Sequence, residues 1–123
     1  MPITLSTSLR NSRATAIVTE AGASAKLAVY TAAYGTLLYT STCSATLGTV
    51  SGGVLTLNAV GNATAVAAGT AAIARLFKTD GTTMVMEGLT VGTSGTNIVI
   101  TNTNIAVNDV VTTSSAVITE GNP

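Results

Sequence analysis

Ionised side chains are what this sequence has least of. Its 123 residues include five Lys plus Arg and five Asp plus Glu, 8% in all, with no His, no Trp, one Cys and two Pro. An average soluble domain is about one-quarter charged, so most of the usual solvating surface is missing. Without His, the commonest general base and transition-metal ligand is excluded. Cys43 stands alone, which excludes an intrachain disulfide, and no His is present to hold it as a thiolate nucleophile. Its expected state is a small buried or half-buried hydrophobe. A net charge of zero gives no long-range attraction to nucleic acid or anionic lipid. The richest apolar stretch, residues 63–77, is interrupted by Gly69, Thr70 and Arg75 and falls short of a membrane span. The opening Met1-Pro2-Ile3-Thr4-Leu5 lacks the basic residue and apolar run of a secretory signal. The expectation is a soluble protein made in a reducing cytoplasm.

What remains is 46% hydrophobic, with Thr, Ser, Asn and Ala left to face water. Such a surface resists neither self-association nor docking, so the composition is that of a chain packed against copies of itself or another protein. Only four aromatics are available, Tyr30, Tyr34, Tyr39 and Phe77. The core must therefore be built from Val, Ile, Leu and Ala, at about 0.8 kcal/mol per buried methylene. The isolated subunit is expected to be marginally stable, with assembly supplying the rest.

The pattern predicts one helix over residues 6–21. Ser6 or Thr7 can serve as N-cap, Leu9, Ala16, Ile17 and Ala21 recur at helical intervals, and Gly22 supplies a left-handed stop. From about residue 25 onward β-branched residues dominate and the apolar period shifts toward two. Strands are expected at 26–31, 37–41, 54–58, 97–101, 105–107 and 110–119. A hairpin over 70–87 is expected to turn on the dipeptide Asp80-Gly81. Along it Ile73, Arg75 and Phe77 share one side and Ala74 and Leu76 the other, so both faces are apolar, as in a sandwich or at a subunit contact. Seven or eight short strands after one helix indicate a single mainly β domain, residues 1–123, an antiparallel β-sandwich or jelly-roll-like barrel.

Catalytic chemistry finds little to work with. Glu20, Asp80, Glu87, Asp109 and Glu120 are dispersed, and Asp80 is explained by its turn. The run Gly92-Thr93-Ser94-Gly95-Thr96 lacks the Lys of a phosphate loop and leads into strand-like Ile98-Val99-Ile100, so it reads as a turn. The pairs Thr40/Thr42 and Thr101/Thr103 are not periodic enough for an ordered-water face, and the sequon Asn62-Ala63-Thr64 is accidental in a chain without an export signal. No enzyme, cofactor or metal site is expected. Arg10 and Arg13, three apart on the helix, are placed to pair with a partner's carboxylates or simply to keep the helix soluble.

The segments Leu5-Ser6-Thr7-Ser8-Leu9-Arg10-Asn11, Ala25-Lys26-Leu27-Ala28-Val29-Tyr30, Gly53-Val54-Leu55-Thr56-Leu57-Asn58 and residues 75–83, with the closing Val91-Gly92-Thr93-Ser94-Gly95 and residues 116–122, resemble small structural proteins of tailed bacteriophages. The likeness is to capsid cement or decoration proteins and covers nearly the whole chain, although this sequence has fewer acidic residues in its central strands. The resemblance implies a β-rich homodimer or homotrimer that binds the major capsid protein of an assembled shell on the virion exterior. Under it, Arg10, Arg13, Tyr30, Tyr34 and Tyr39 are the expected partner contacts, Tyr because it buries area while offering a hydroxyl to a wet rim. A self-assembling tail-tube, fibre or pilus-like subunit is the alternative, since uncharged strand edges suit head-to-tail growth.

Overall fold

The computed structural model describes residues 6–119. Its helix, α1 (Thr7–Ala21), starts where Ser6 accepts from the Leu9 N–H at 3.1 Å and stops at Gly22, which has φ +69° and donates to the Val18 carbonyl. The buried stripe differs from the one expected. Ala14 and Ala21 are buried and Ile17 and Val18 are half-buried against the core, while Leu9 and Ala16 are exposed. The small residues face the sheet because α1 packs close against the strands around residues 48–57.

Among the described residues twelve strands follow: β1 (Lys26–Tyr30), β2 (Leu37–Thr42), β3 (Gly48–Ser51), β4 (Val54–Leu57), β5 (Ala63–Thr64), β6 (Gly69–Thr70), β7 (Ile73–Phe77), β8 (Met84–Gly92), β9 (Ile98–Ile100), β10 (Asn104–Ile105), β11 (Val110–Val111) and β12 (Thr113–Thr119). Eight form one sheet in the order β2-β1-β7-β8-β9-β12-β4-β3, and β10-β6 and β11-β5 form two small ribbons. The fold is mainly β with one N-terminal helix, as expected, and the sheet curls so that both halves share a core. Leu27 and Val29 of β1, Leu55 of β4, Leu76 of β7, Ile98 of β9 and Ile118 of β12 all belong to one hydrophobic cluster.

Three details depart from the expected pattern. The strands outnumber the seven or eight expected: β3, whose Gly48-Thr49-Val50-Ser51 has one large apolar residue and little alternation, forms by pairing along β4, and the two-residue β5 and β6 form only by pairing with β11 and β10. The sheet is also not purely antiparallel, since β8 and β9 run parallel, Val91 opposite Ile98 and Gly92 opposite Val99. Finally, the β7–β8 hairpin does not turn on two residues. Lys78 N–H donates to the Thr83 carbonyl, leaving residues 79–82 as the loop, because the Asp80 carboxylate gathers the N–H groups of Thr82 and Thr83. The Thr83 hydroxyl and these N–H groups hold that carboxyl down at about pKa 2.

Candidate interaction site

The outward face of β1, β7 and β8 carries the molecule's most developed surface cluster. β1 lies beside β7 with Ala28 opposite Arg75 and Tyr30 opposite Ile73, and β7 lies beside β8 with Arg75 opposite Glu87. Directly opposed residues point to the same side of a sheet. Arg75 Nε donates to Glu87 Oε1 at 3.2 Å. Its guanidinium stands 3.9 Å from the centroid of Tyr34 and 5.4 Å from that of Tyr30, and the two rings meet edge to face at 5.5 Å. Desolvation works against the Arg75 charge, but the Tyr30 hydroxyl and Glu87 outweigh it and raise the pKa further.

Tyr34 reaches this position from the turn Ala32–Tyr34, where Ala33 and Tyr34 both have φ +56°. Its phenolic oxygen accepts from the Gly88 N–H at 2.6 Å. Gly88, with φ +82°, has no register partner on β7, so the bulge leaves its N–H for the tyrosine. Phe77 and Ile73 are half-buried on the same face. Three of the chain's four aromatics are thus displayed on one sheet face and kept out of the core.

The expected contact residues do not form one site. Tyr30 and Tyr34 join the Arg75 cluster. Tyr39 does not: its place on β2 opposite Val29 turns it inward, it is 0% exposed, and burial pushes its hydroxyl up to about pKa 12. An inward tyrosine cannot touch a partner in the folded chain, so that expectation is corrected. Arg10 belongs to a different place, lying over Gly53, where an added Cβ would stand 2.7 Å from its Nε. Arg13 is exposed on α1, apart from the sheet cluster. Arg75 and Glu87 were not among the expected site residues; the alternation set Ile73, Arg75 and Phe77 on one side of the strand without saying which side faces out.

A second surface is apolar. Among the described residues six large hydrophobics stand exposed, and four of them, Leu37, Val66, Val107 and Val110, lie on neighbouring backbone segments beside β2. Hydrogen bonds hold them together: Val66 N–H to the Leu38 carbonyl, Ala65 N–H to the Asp109 carbonyl, and Asn108 N–H to the Ala65 carbonyl. The Asp109 carboxylate is engaged by the Ala106 N–H at 2.9 Å. A pocket of about 120 Å³ beside it is lined by Thr101, Asn104, Asp109 and Val110, among others. Among the described residues no three His, Cys, Asp or Glu side chains come together as a metal site, and no helix is long and apolar enough to cross a membrane. Cys43 is buried, and burial pushes its thiol up to about pKa 11, Lys26 opposing in part.

Comparison with protein-family models, curated proteins and solved structures gave no match.

Proposed function

We propose that this chain is a structural virion protein that binds the outer surface of an assembled bacteriophage capsid and stabilises it, without enzymatic activity. The observation that carries this reading is the exposure of Leu37, Val66, Val107 and Val110 on neighbouring segments of a chain with 8% charged residues. Burying them against a shell desolvates few ions. A cement protein that binds assembled subunits better than free ones adds that differential affinity to the shell's stability, and many weak copies on one shell act together. The resemblance of the sequence to phage decoration proteins points the same way.

Co-sedimentation with mature shells of the phage that encodes it tests the reading. Saturable binding to shells and none to free capsid subunit is expected, with Val66→Asp plus Val110→Asp reducing occupancy at least about tenfold. No binding to any assembled shell at micromolar protein overturns it. The alternative, a self-assembling tube, fibre or pilus-like subunit, is supported by β3, which ends the sheet with uncharged residues and has no outer neighbour among the described strands. Electron microscopy of concentrated protein separates the two, open-ended filaments favouring the alternative.

A further inference from the structure

The outward face of β7 and β8 is complementary to a copy of itself. Three opposed pairs define it: Ile73 with Thr90, Arg75 with Glu87, and Phe77 with Met84. The alternates Ala74 and Leu76 are fully buried, whereas all six of these residues are half-buried or exposed, Met84 by 48%. Along the hairpin the surface therefore presents a cation beside an anion, and one step away an aromatic ring beside a thioether.

We propose that two copies of this chain pair through this face about a two-fold axis running along the strands between β7 and β8. Half a turn about that line lays β7 of one copy over β8 of the other without moving either along the strand direction. Arg75 then faces the partner's Glu87, Phe77 faces the partner's Met84 and Ile73 faces the partner's Thr90, each contact occurring twice. Opposite charges meet across the axis, as a face of one sign would not allow, and sulfur meets aromatic ring, a favourable contact. Sheet faces pack this way at about 10 Å separation. The Tyr34 stack and the Glu87 hydrogen bond already order the Arg75 side chain in the single copy, so less freedom is lost on pairing.

Size sets the strength. The face spans β1, β7 and β8, and with strands about 4.8 Å apart and a rise of about 3.3 Å over five residues it measures roughly 14 by 17 Å, on the order of 200 Å² per copy. A standard stable complex buries about 800 Å² a side. The pair is accordingly a reversible dimer that forms and dissociates with concentration. It requires no shell, so its failure leaves the capsid reading standing and the reverse also holds.

Sedimentation equilibrium of the purified chain tests it, the mean mass rising from about one chain toward two between roughly 1 and 300 µM. Arg75→Glu and Glu87→Lys each place like charges across the axis and weaken association at least about tenfold. An equimolar mixture of these two variants recovers pairing, because the acid introduced at 75 meets the lysine introduced at 87 in the other chain. Neither variant regains its own internal ion pair in the mixture, so recovery reports contact between copies. Met84→Glu leaves the Arg75 stack untouched and is also expected to be monomeric, which decides the matter should Arg75→Glu fail to fold. A wild-type chain that stays monomeric, a trimer, a folded mixture that does not pair, or a Met84→Glu chain that associates like wild type overturns the proposal.

Discussion

Tyr34 lies across the guanidinium of Arg75 at 3.9 Å while its own backbone sits at φ +56°, in the region that side chains avoid. Ala33 before it has the same φ, and each such non-glycine residue costs about 1–2 kcal/mol. The cation–π stack, worth about 0.5–1 kcal/mol at an exposed site, and the Gly88 hydrogen bond, about 1 kcal/mol net, hold the turn in place. Ala33→Gly is therefore expected to raise unfolding free energy by roughly 0.5–1 kcal/mol, the relief exceeding the added chain entropy. Tyr34→Ala is expected to lower it by roughly 1–2 kcal/mol. Urea unfolding measures both, and a destabilised Ala33→Gly chain would show that the turn is not strained.

Gly53, in the turn between β3 and β4, is where that hairpin meets α1. It has φ +78°, donates its N–H to Asn11 Oδ1 at 2.6 Å, and has Arg10 where a Cβ would stand. Gly53→Ala is expected to lose roughly 2–3 kcal/mol, of which about 1–2 kcal/mol is the left-handed backbone and the rest displacement of Arg10. In an Arg10→Ala background only the backbone part should remain. Thermal melts of the four chains form the cycle, and an unchanged Gly53→Ala loss in that background would mean that Arg10 shifts freely.

Much of this fold was readable because local chemistry and tertiary packing agree. Ser6 and Gly22 mark the helix by their capping chemistry, and the alternation survives intact in β7, whereas in β1 Leu27, Ala28 and Val29 are all buried. Agreement fails where neighbours decide. Gly48-Thr49-Val50-Ser51 becomes a strand only because β4 lies beside it, and Ala14 rather than Ala16 turns inward because a close helix–sheet approach admits a small side chain there. The membership of the Arg75 cluster was half-readable. Tyr30 and Tyr34 were picked for their residue type, which failed for Tyr39, since a tyrosine's type says nothing about which side of β2 it points to. Glu87 joins Arg75 through a bulged register that no periodicity announces.

Asn97 holds the parallel junction of β8 and β9. Its Oδ1 accepts from the N–H and hydroxyl of Thr90 at 3.1 and 3.0 Å, and its Nδ2 donates to the Val117 carbonyl at 3.1 Å, so one side chain ties β8 to β12 beside β9. A connection of five residues between parallel neighbours is far shorter than the dozen or more a crossover ordinarily needs, and these bonds fix it. Asn97→Ala is expected to cost roughly 2–3 kcal/mol, at about 1 kcal/mol per bond. Asn97→Asp keeps the two acceptor bonds and should lose less. Hydrogen exchange of the Thr90 and Val91 amides provides the local readout, and unchanged protection in the alanine variant would sink the idea.

Tyr39 predicts alkaline sensitivity with a definite sign. Its hydroxyl and that of Ser41 are buried on β2 without a hydrogen-bond partner. Burial raises the tyrosine from its ordinary value of 10.0 to about 12, so the folded state favours the neutral phenol. The stability linked to it is complete below the unfolded value and is lost as pH rises through that value toward about 12. Cys43 behaves likewise from its ordinary 9.0 to about 11. Stability should therefore begin to fall above pH 9 and fall further above pH 10. Tyr39→Phe removes an unpaired buried hydroxyl and should gain about 1 kcal/mol at neutral pH. The same variant should unfold less readily between pH 10 and 12, while Cys43→Ser should alter only the earlier part of the decline. Circular dichroism melts from pH 7 to 12 distinguish these contributions, and a Tyr39→Phe chain with wild-type alkaline behaviour would show that the phenol titrates alike in the folded and unfolded chain.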